Sequence, residues 1–337
     1  MLRGLSQVQR ADGRMLVGPE TYDDAGVLAL AGEGGLPADS PLALVQTVDY
    51  FPPVVDDPYF YGAIAAANAV SDVYAMGGKP FSALNIAGIP RDLPEAWAAE
   101  IFRGGFEKMR EANVLVAGGH TVQSKEALFG FAVTGLVDRR RVAANSGAKP
   151  GDLLYLTKAL GMGAMTTAAK QQKISWKDLE PAARQMAALN DRAAEAMNAA
   201  GAHAATDVTG FGLVGHARNI ARASGVAIRI DLARLPVFPG ALDLVRAGVV
   251  SGASARGRQT MEAEVRLRPG LDEALVRLAF DAETSGGLLI AVGADAAPDL
   301  ERELRARGLP VHAVGACVER SAGARDVSPE GISIELA

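Results

Sequence analysis

Two short apolar runs open the pattern, at residues 26–30 and 42–48, rich in Val and Leu, bounded by turn residues, the second ending on Asp49. Such runs predict β-strands. The period then changes. In YFYGAIAAANAVSDVYAMGG, residues 59–78, small and apolar positions recur at helical spacing. Gly77-Gly78 closes the segment as a helix C-terminus prefers. Residues 82–88 read as a strand and 95–113 as an amphipathic helix. Residues 114–117 read as a short buried strand running into Gly118-Gly119-His120-Thr121, and 129–137 as a further strand. Helices and strands alternate, yet several strands are neighbours in sequence, which predicts an α+β or mixed α/β architecture.

The main break is AANSGAKPGDLLYLT, where Gly147, Pro150 and Gly151 interrupt the pattern before a strand at 153–157. It divides the chain into residues 1–146 and 147–337. The second part predicts a long helix over about 181–200, a loop TDVTGFG, and a helix over 213–224. Strands at 227–231 and 287–292 and a helix near 297–307 follow. Residues 1–20 read as irregular.

A length of 337 residues accommodates two domains of roughly 150 residues each, and 49% hydrophobic content supports real cores. The net charge of -5 argues against a nucleic-acid partner, which needs a basic face. It leaves a phosphate ligand open, because a metal ion reverses the local sign. The single cysteine, Cys317, permits no internal disulfide and points to a reducing cytoplasm. Its setting, VHAVGACV, implies a buried, inert thiol. No stretch reaches the roughly 18 apolar residues of a membrane span, and MLRGLSQVQR lacks the apolar core of a signal peptide.

Carboxylates carry the candidate chemistry. Asp23 and Asp24 precede a strand, where neighbouring side chains point to opposite sides. One can take a hard cation while the other serves nucleotide or backbone; the pair also fits a plain acidic turn. Asp49 sits where a strand meets a loop, a place for ligand chemistry or simply a turn. Asn68 and Asp72 are four apart on one helical face. A carboxylate on so apolar a helix needs a cation or an arginine. Thr206-Asp207-Val208-Thr209-Gly210-Phe211-Gly212 joins a carboxylate, two hydroxyls and two glycines just before a helix. That arrangement suits an anion at the helix N-terminus, or a start capped by Asp207 or Thr209. Ser285-Gly286-Gly287 favours a structural turn. GxxxxGK[ST] occurs nowhere, so an ATP site here is not a P-loop.

Taken in order, TYDDAGV, TVDYFPPVVDDPYFYGAIAAANAVSDVYAMGGKP, AGGHT, FAVTGLV, LYLTKALGMG, TDVTGFGLVGH and TSGGLL resemble selenophosphate synthetase. That family belongs to the aminoimidazole ribonucleotide synthetase superfamily, with thiamine-monophosphate kinase and a hydrogenase maturation factor as relatives. The resemblance spans residues 15–318. It implies a two-domain α+β fold, with an N-terminal domain that forms a homodimer and a C-terminal α/β sandwich-like domain. It implies ATP bound at the domain and subunit junction, and magnesium held by Asp24, Asp72 and Asp207. It places Asp49 and Asp72 against nucleotide and metal, and Thr21, Tyr22, Asp23, Gly119, His120 and Thr121 against ATP. The implied reaction converts ATP, selenide and water to selenophosphate, AMP and phosphate.

One part of the family pattern is missing from this sequence. The family usually opens with a glycine-rich segment holding a reactive cysteine or selenocysteine, followed by a lysine. Here the first lysine is Lys79 and the only cysteine is Cys317. No catalytic residue is therefore assigned. The expectation is retained nucleotide binding with weak selenophosphate formation, unless a preceding or separate segment supplies those groups. Another superfamily kinase, or a nucleotide-binding paralogue, is the alternative.

Overall fold

A computed structural model describes residues 12–320 and 333–337. The first part is a six-stranded sheet in the order β1-β2-β3-β6-β4-β5. Its strands are β1 (Met15–Val17), β2 (Gly26–Ala29), β3 (Leu42–Phe51), β4 (Lys79–Ile89), β5 (Leu115–Gln123) and β6 (Leu128–Asp138). All pairs are antiparallel except β4 with β5. That parallel pair needs a crossover, which α2 (Glu95–Glu111) provides. Helix α1 (Pro58–Ala75) links β3 to β4.

Both helices cover one face of this sheet. Alternation along β3 turns Ala43, Val45, Thr47 and Asp49 towards α1 and leaves Val48 and Tyr50 outward. Phe129, Phe131 and Val133 of β6 are buried beneath the helices. The two helices approach through glycines. A Cβ on Gly62 would stand 1.9 Å from the Ile101 carbonyl oxygen, and one on Gly104 2.0 Å from that of Tyr59. Helix α1 ends as its Gly-Gly predicts. Gly77, at φ +76°, donates to the Tyr74 carbonyl and Gly78 to that of Val73, two bonds that close the last turn.

The second part is a seven-stranded sheet in the order β10-β13-β9-β12-β7-β11-β8. The strands are β7 (Leu153–Leu156), β8 (Ala204–Asp207), β9 (Ala227–Ile230), β10 (Val265–Leu267), β11 (Leu288–Val292), β12 (Ala313–Val318) and β13 (Ile334–Leu336). The helices are α3 (Met162–Lys170), α4 (Trp176–Met186), α5 (Asp191–Ala200), α6 (Gly212–Ser224), α7 (Ala241–Arg246), α8 (Gly252–Met261), α9 (Glu273–Phe280) and α10 (Ala297–Ala306). The parts pack closely. Phe60 meets Trp176 with ring centroids 5.5 Å apart, and Asn198 Nδ2 donates to the Gly77 carbonyl at 3.0 Å.

Four expectations change, the first at residues 15–17, expected to be irregular but forming the strand β1 that pairs with β2. The helix expected over 181–200 is two helices, because Asn190 turns inward to donate to Ser71 Oγ and the Gly286 carbonyl, both at 2.9 Å. The short buried strand expected at 114–117 is the nine-residue edge strand β5. It is largely exposed and absorbs Gly118–Gly119–His120–Thr121. Thr206 and Asp207, expected in a loop, are buried at the end of β8. Cys317 is buried as its setting implied, with its thiol pushed up to about 12 by burial.

The glycine contacts set a test. Gly104→Ala is expected to destabilise the fold by about 2 kcal/mol, because backbone on both helices must move apart. Gly26→Ala, whose Cβ would lie 3.8 Å from the Gln46 carbonyl oxygen, is expected to change stability by under about 0.5 kcal/mol. Equal urea midpoints for the two variants would contradict the close-packing account.

Candidate active site

Four aspartates from four separate elements gather between α1 and β8. Asp72 and Asn68 share a face of α1, which lies over the inner face of β3. Asn68 Nδ2 donates to Asp49 Oδ2 at 2.5 Å, and the Thr47 hydroxyl donates to Asp72. Asp207 ends β8 and accepts from Ser71, which accepts from Asn190 in turn. Asp24, just before β2, accepts from Thr206 Oγ1 at 2.8 Å.

Neutral donors hold these carboxylates, and none of the four forms an ion pair among the described residues. Their acidity responds accordingly. Burial raises Asp49 and Asp207 to about 6, against the hydrogen bonds from Asn68 and Ser71. Burial, then the Asp207 charge, pushes Asp24 well above the usual carboxylate range. Burial, then Asp207, Asp49 and Asp24, does the same to Asp72. Four carboxylates sharing one dry region repel, and a cation relieves them.

The adjacent Asp23 and Asp24, in the bend before β2, have separate partners. Asp23 takes the backbone N–H of Asn145 at 2.6 Å on one oxygen and the Thr21 hydroxyl on the other. Asn145 Nδ2 donates back to the Tyr22 carbonyl at 3.1 Å. Asp23 thus fixes the Thr21–Tyr22 turn, where Tyr22 is exposed at φ +54°. Gly119, His120 and Thr121 lie apart from the aspartates, exposed on the edge strand β5.

No side chain caps the N-terminus of α6, so neither Asp207 nor Thr209 serves as the expected cap. Thr209 instead donates its N–H to Nε2 of buried His216 at 3.1 Å. Nδ1 of His216 lies 3.3 Å from Thr206 Oγ1, which already donates to Asp24. The pattern fits a neutral imidazole protonated on Nδ1, and burial lowers its pKa to about 4. His216 therefore orients Asp24 through Thr206. The glycines of Ser285-Gly286-Gly287 are structural, as expected: Cβ atoms there would meet the Val208 carbonyl oxygen at 2.1 Å and the Lys158 nitrogen at 2.4 Å.

Two groups escaped the sequence reading. His216 lies within the quoted run TDVTGFGLVGH, but its role depends on the loop folding back. Lys158, half-buried after β7, donates to the Ala188 carbonyl at 2.7 Å and to that of Ser285 at 3.1 Å. Burial lowers it to about 7, with the Asp207 charge opposing. Its signal in sequence was only the string LYLTKALGMG.

The donor set fits a hard cation. Asp24 Oδ2 and Asp207 Oδ2 are buried with no partner among the described residues, and every candidate ligand is oxygen. The set is also open. Among the described residues no three His, Cys, Asp or Glu side chains converge as a ready metal site. Magnesium commonly takes one or two carboxylates and completes its shell with waters and substrate phosphates.

Comparison with known proteins identifies the family. The AIR synthase related protein N-terminal domain matches residues 22–137, and the corresponding C-terminal domain matches residues 149–328. The selenide, water dikinase of Nitratidesulfovibrio vulgaris strain DP4 is 40% identical, covering 96% of this chain and 90% of its own. That of Geobacter metallireducens is 47% identical, covering 90% and 86%. The solved hydrogenase maturation protein HypE in complex with ATP has the same fold. Its TM-score is 0.65 at 19% identity, over 96% of this chain and 88% of that one. The chain belongs to the selenide, water dikinase family within the AIR synthase related proteins.

Proposed function

We propose that this chain is a phosphotransferase that makes selenophosphate from selenide, water and ATP, releasing AMP and phosphate. The carrying observation is the cluster of Asp24, Asp49, Asp72 and Asp207, the last two buried and the first two half-buried, held by neutral donors and forming no ion pair among the described residues. It is built for metal ions that arrive with a polyphosphate. Family membership names the reaction.

In this reading Asp24, Asp72 and Asp207 hold magnesium, and Asp49 lies against nucleotide and metal. Bound magnesium would neutralise the triphosphate and polarise the bond to be broken. The protein's own part is positioning. Thr206 and His216 fix Asp24, Ser71 and Asn190 fix Asp207, Thr47 fixes Asp72 and Asn68 fixes Asp49. The α6 N-terminus, free of a side-chain cap, presents N–H groups to an anion. Thr21 and Tyr22, on the turn pinned by Asp23, face the nucleotide. Lys158, held by the Ala188 and Ser285 carbonyls, adds positive charge in the neighbourhood of Asp207. Residues 1–146 form the nucleotide-binding and dimerisation unit, and residues 147–337 the α/β unit.

A homodimer completes the site. The sheet face opposite α1 and α2 exposes Val48, Tyr50, Phe81, Leu84 and Val122, with Leu84 50% and Val122 49% exposed. Such a contiguous apolar face on a sheet marks an interface. Gly119, His120 and Thr121 lie on the strand bordering it. Pairing two such faces brings β5 of one protomer to the nucleotide of its partner. No helix among the described residues is long and apolar enough to cross a membrane, and a cytoplasmic setting suits a selenide substrate.

Asp207→Asn is expected to weaken magnesium-dependent ATP binding about 10–100-fold in calorimetry. Unchanged affinity would remove Asp207 from the metal site. The same variant has a pH signature in metal-free protein. Asp207 titrates near 6 when folded, against an ordinary value near 3.8. Between those values the folded state holds the extra proton. The stabilisation is therefore present below pH about 4 and lost as pH rises through about 6. The melting-temperature gain of Asp207→Asn over wild type should accordingly grow from pH 5 to pH 8. A gain that is flat or shrinks across that range contradicts the buried-charge account. For the dimer, Leu84→Glu should give a folded monomer by light scattering, with ATP turnover down at least about tenfold, since a buried unpaired charge is strongly disfavoured. A dimeric Leu84→Glu protein would place the interface elsewhere.

A further inference from the structure

Lys158 follows β7 at the same end of the second sheet where Asp207 ends β8 and β11 begins. Its ammonium lies in the neighbourhood of Asp207, which forms no ion pair among the described residues. Lys158 Nζ donates instead to two main-chain carbonyls, Ala188 at 2.7 Å and Ser285 at 3.1 Å. Those carbonyls belong to the two segments that Asn190 joins. Asn190 Nδ2 donates to the Gly286 carbonyl and to Ser71 Oγ, and Ser71 holds Asp207. Lys158 and Asn190 therefore brace the same two segments, 188–190 and 285–286, at neighbouring points.

The brace has something to hold. Ser285 stands at φ +50°, in the left-handed region that a residue with a Cβ resists. Its hydroxyl is buried with no partner among the described residues, so its own side chain does not pin the turn. The bond from Lys158 reaches its carbonyl. Strand β11 starts from this turn. The Gly287 carbonyl accepts the Val208 N–H at 2.9 Å, and Leu288 pairs in register with Asp207. The turn thus reaches Asp207 twice, through its backbone by way of β11 and through its carboxylate by way of Asn190 and Ser71. Carbonyl acceptors suit a brace at this place. They satisfy the ammonium without occupying the carboxylate that a cation would use.

We propose that Lys158 is a positioning residue: by bridging the Ala188 and Ser285 carbonyls it sets the place of Asp207 without touching metal or nucleotide. The proposal rests on the reading of the aspartates as a magnesium–ATP site.

The test is a double-mutant cycle. Magnesium-dependent ATP binding is measured by calorimetry for wild type, Lys158→Met, Asp207→Asn and the double variant. Methionine keeps an unbranched chain and removes every donor. Lys158→Met is expected to weaken binding about tenfold, the scale of groups that orient metal ligands. In the Asp207→Asn background it should cost nothing further. Adding Ser285→Gly to Lys158→Met should recover part of the loss, because glycine adopts that φ freely. Lys158→Gln carries the cycle if Lys158→Met does not fold. Amide hydrogen exchange of the metal-free protein supplies a readout that needs no ligand: the Val208 amide should exchange faster in Lys158→Met, while amides of β9 keep their rates. Unchanged binding in Lys158→Met, an equal loss in both backgrounds, or an unchanged Val208 rate overturns the proposal. Unchanged binding in Asp207→Asn is the separate failure of the metal reading, and the proposal falls with it.

Discussion

Carboxylates that repel one another in a dry site cannot hold themselves together, and the surrounding structure answers to that constraint. Asp24, Asp49, Asp72 and Asp207 come from a pre-strand turn, a strand, a helix and a strand end of the other sheet. Each is gripped by an uncharged donor: Thr206, Asn68, Thr47 and Ser71. A second layer, His216 and Asn190, holds two of those donors. An arginine in any of these positions would have stabilised the apo fold and cancelled the site, because a paired carboxylate has little left for a cation. Neutral donors keep the geometry and leave the charge unmet. The cost falls on stability and is offset elsewhere, in the glycine-mediated contact of α1 with α2 and in the aromatic cluster of Phe102, Phe129 and Phe131 beneath them.

Asp72 stood out because the helix around it is so apolar, whereas Asp24, Asp49 and Asp207 each also fitted a turn or a cap and were singled out by the resemblance. Asp72 in an alanine-rich helix, four from Asn68, is a periodic anomaly that sequence exposes directly. Asp23 and Asp24 were expected to divide their roles by strand alternation; they do have separate partners, backbone being one for Asp23, but they lie in the bend before β2. What stayed hidden depends on tertiary closure. His216 acts only because the chain from Asp207 to Phe211 folds back on α6. Lys158 is ordinary in sequence, and burial makes its charge unusual. The break before α5 arises because Asn190 satisfies groups in two other elements, and no local signal marks that. The strand β5 misled because its first residues are apolar, and apolarity was taken for burial. In the structure Leu115 is 76% exposed. Periodicity reports which side of an element is apolar and is silent on what covers it.

The short turns at Thr21–Tyr22 and Gly210–Phe211 stand between regions of opposite sign. Acid lies on one side, and three arginines lie on the other. Salt screens such charges from one another only beyond a Debye length of about 10 Å. Here they do not meet. Asn145 and Asp23 lock the first turn to the link between the sheets. His216 locks the second through the Thr209 N–H, and Gly215 seats Phe211 against α6. Arg218 is hydrogen-bonded to Glu264. Both turns are therefore held by contacts of their own. Because His216 also holds Thr206, which donates to Asp24, the fold of the second turn and the placing of that carboxylate are set together.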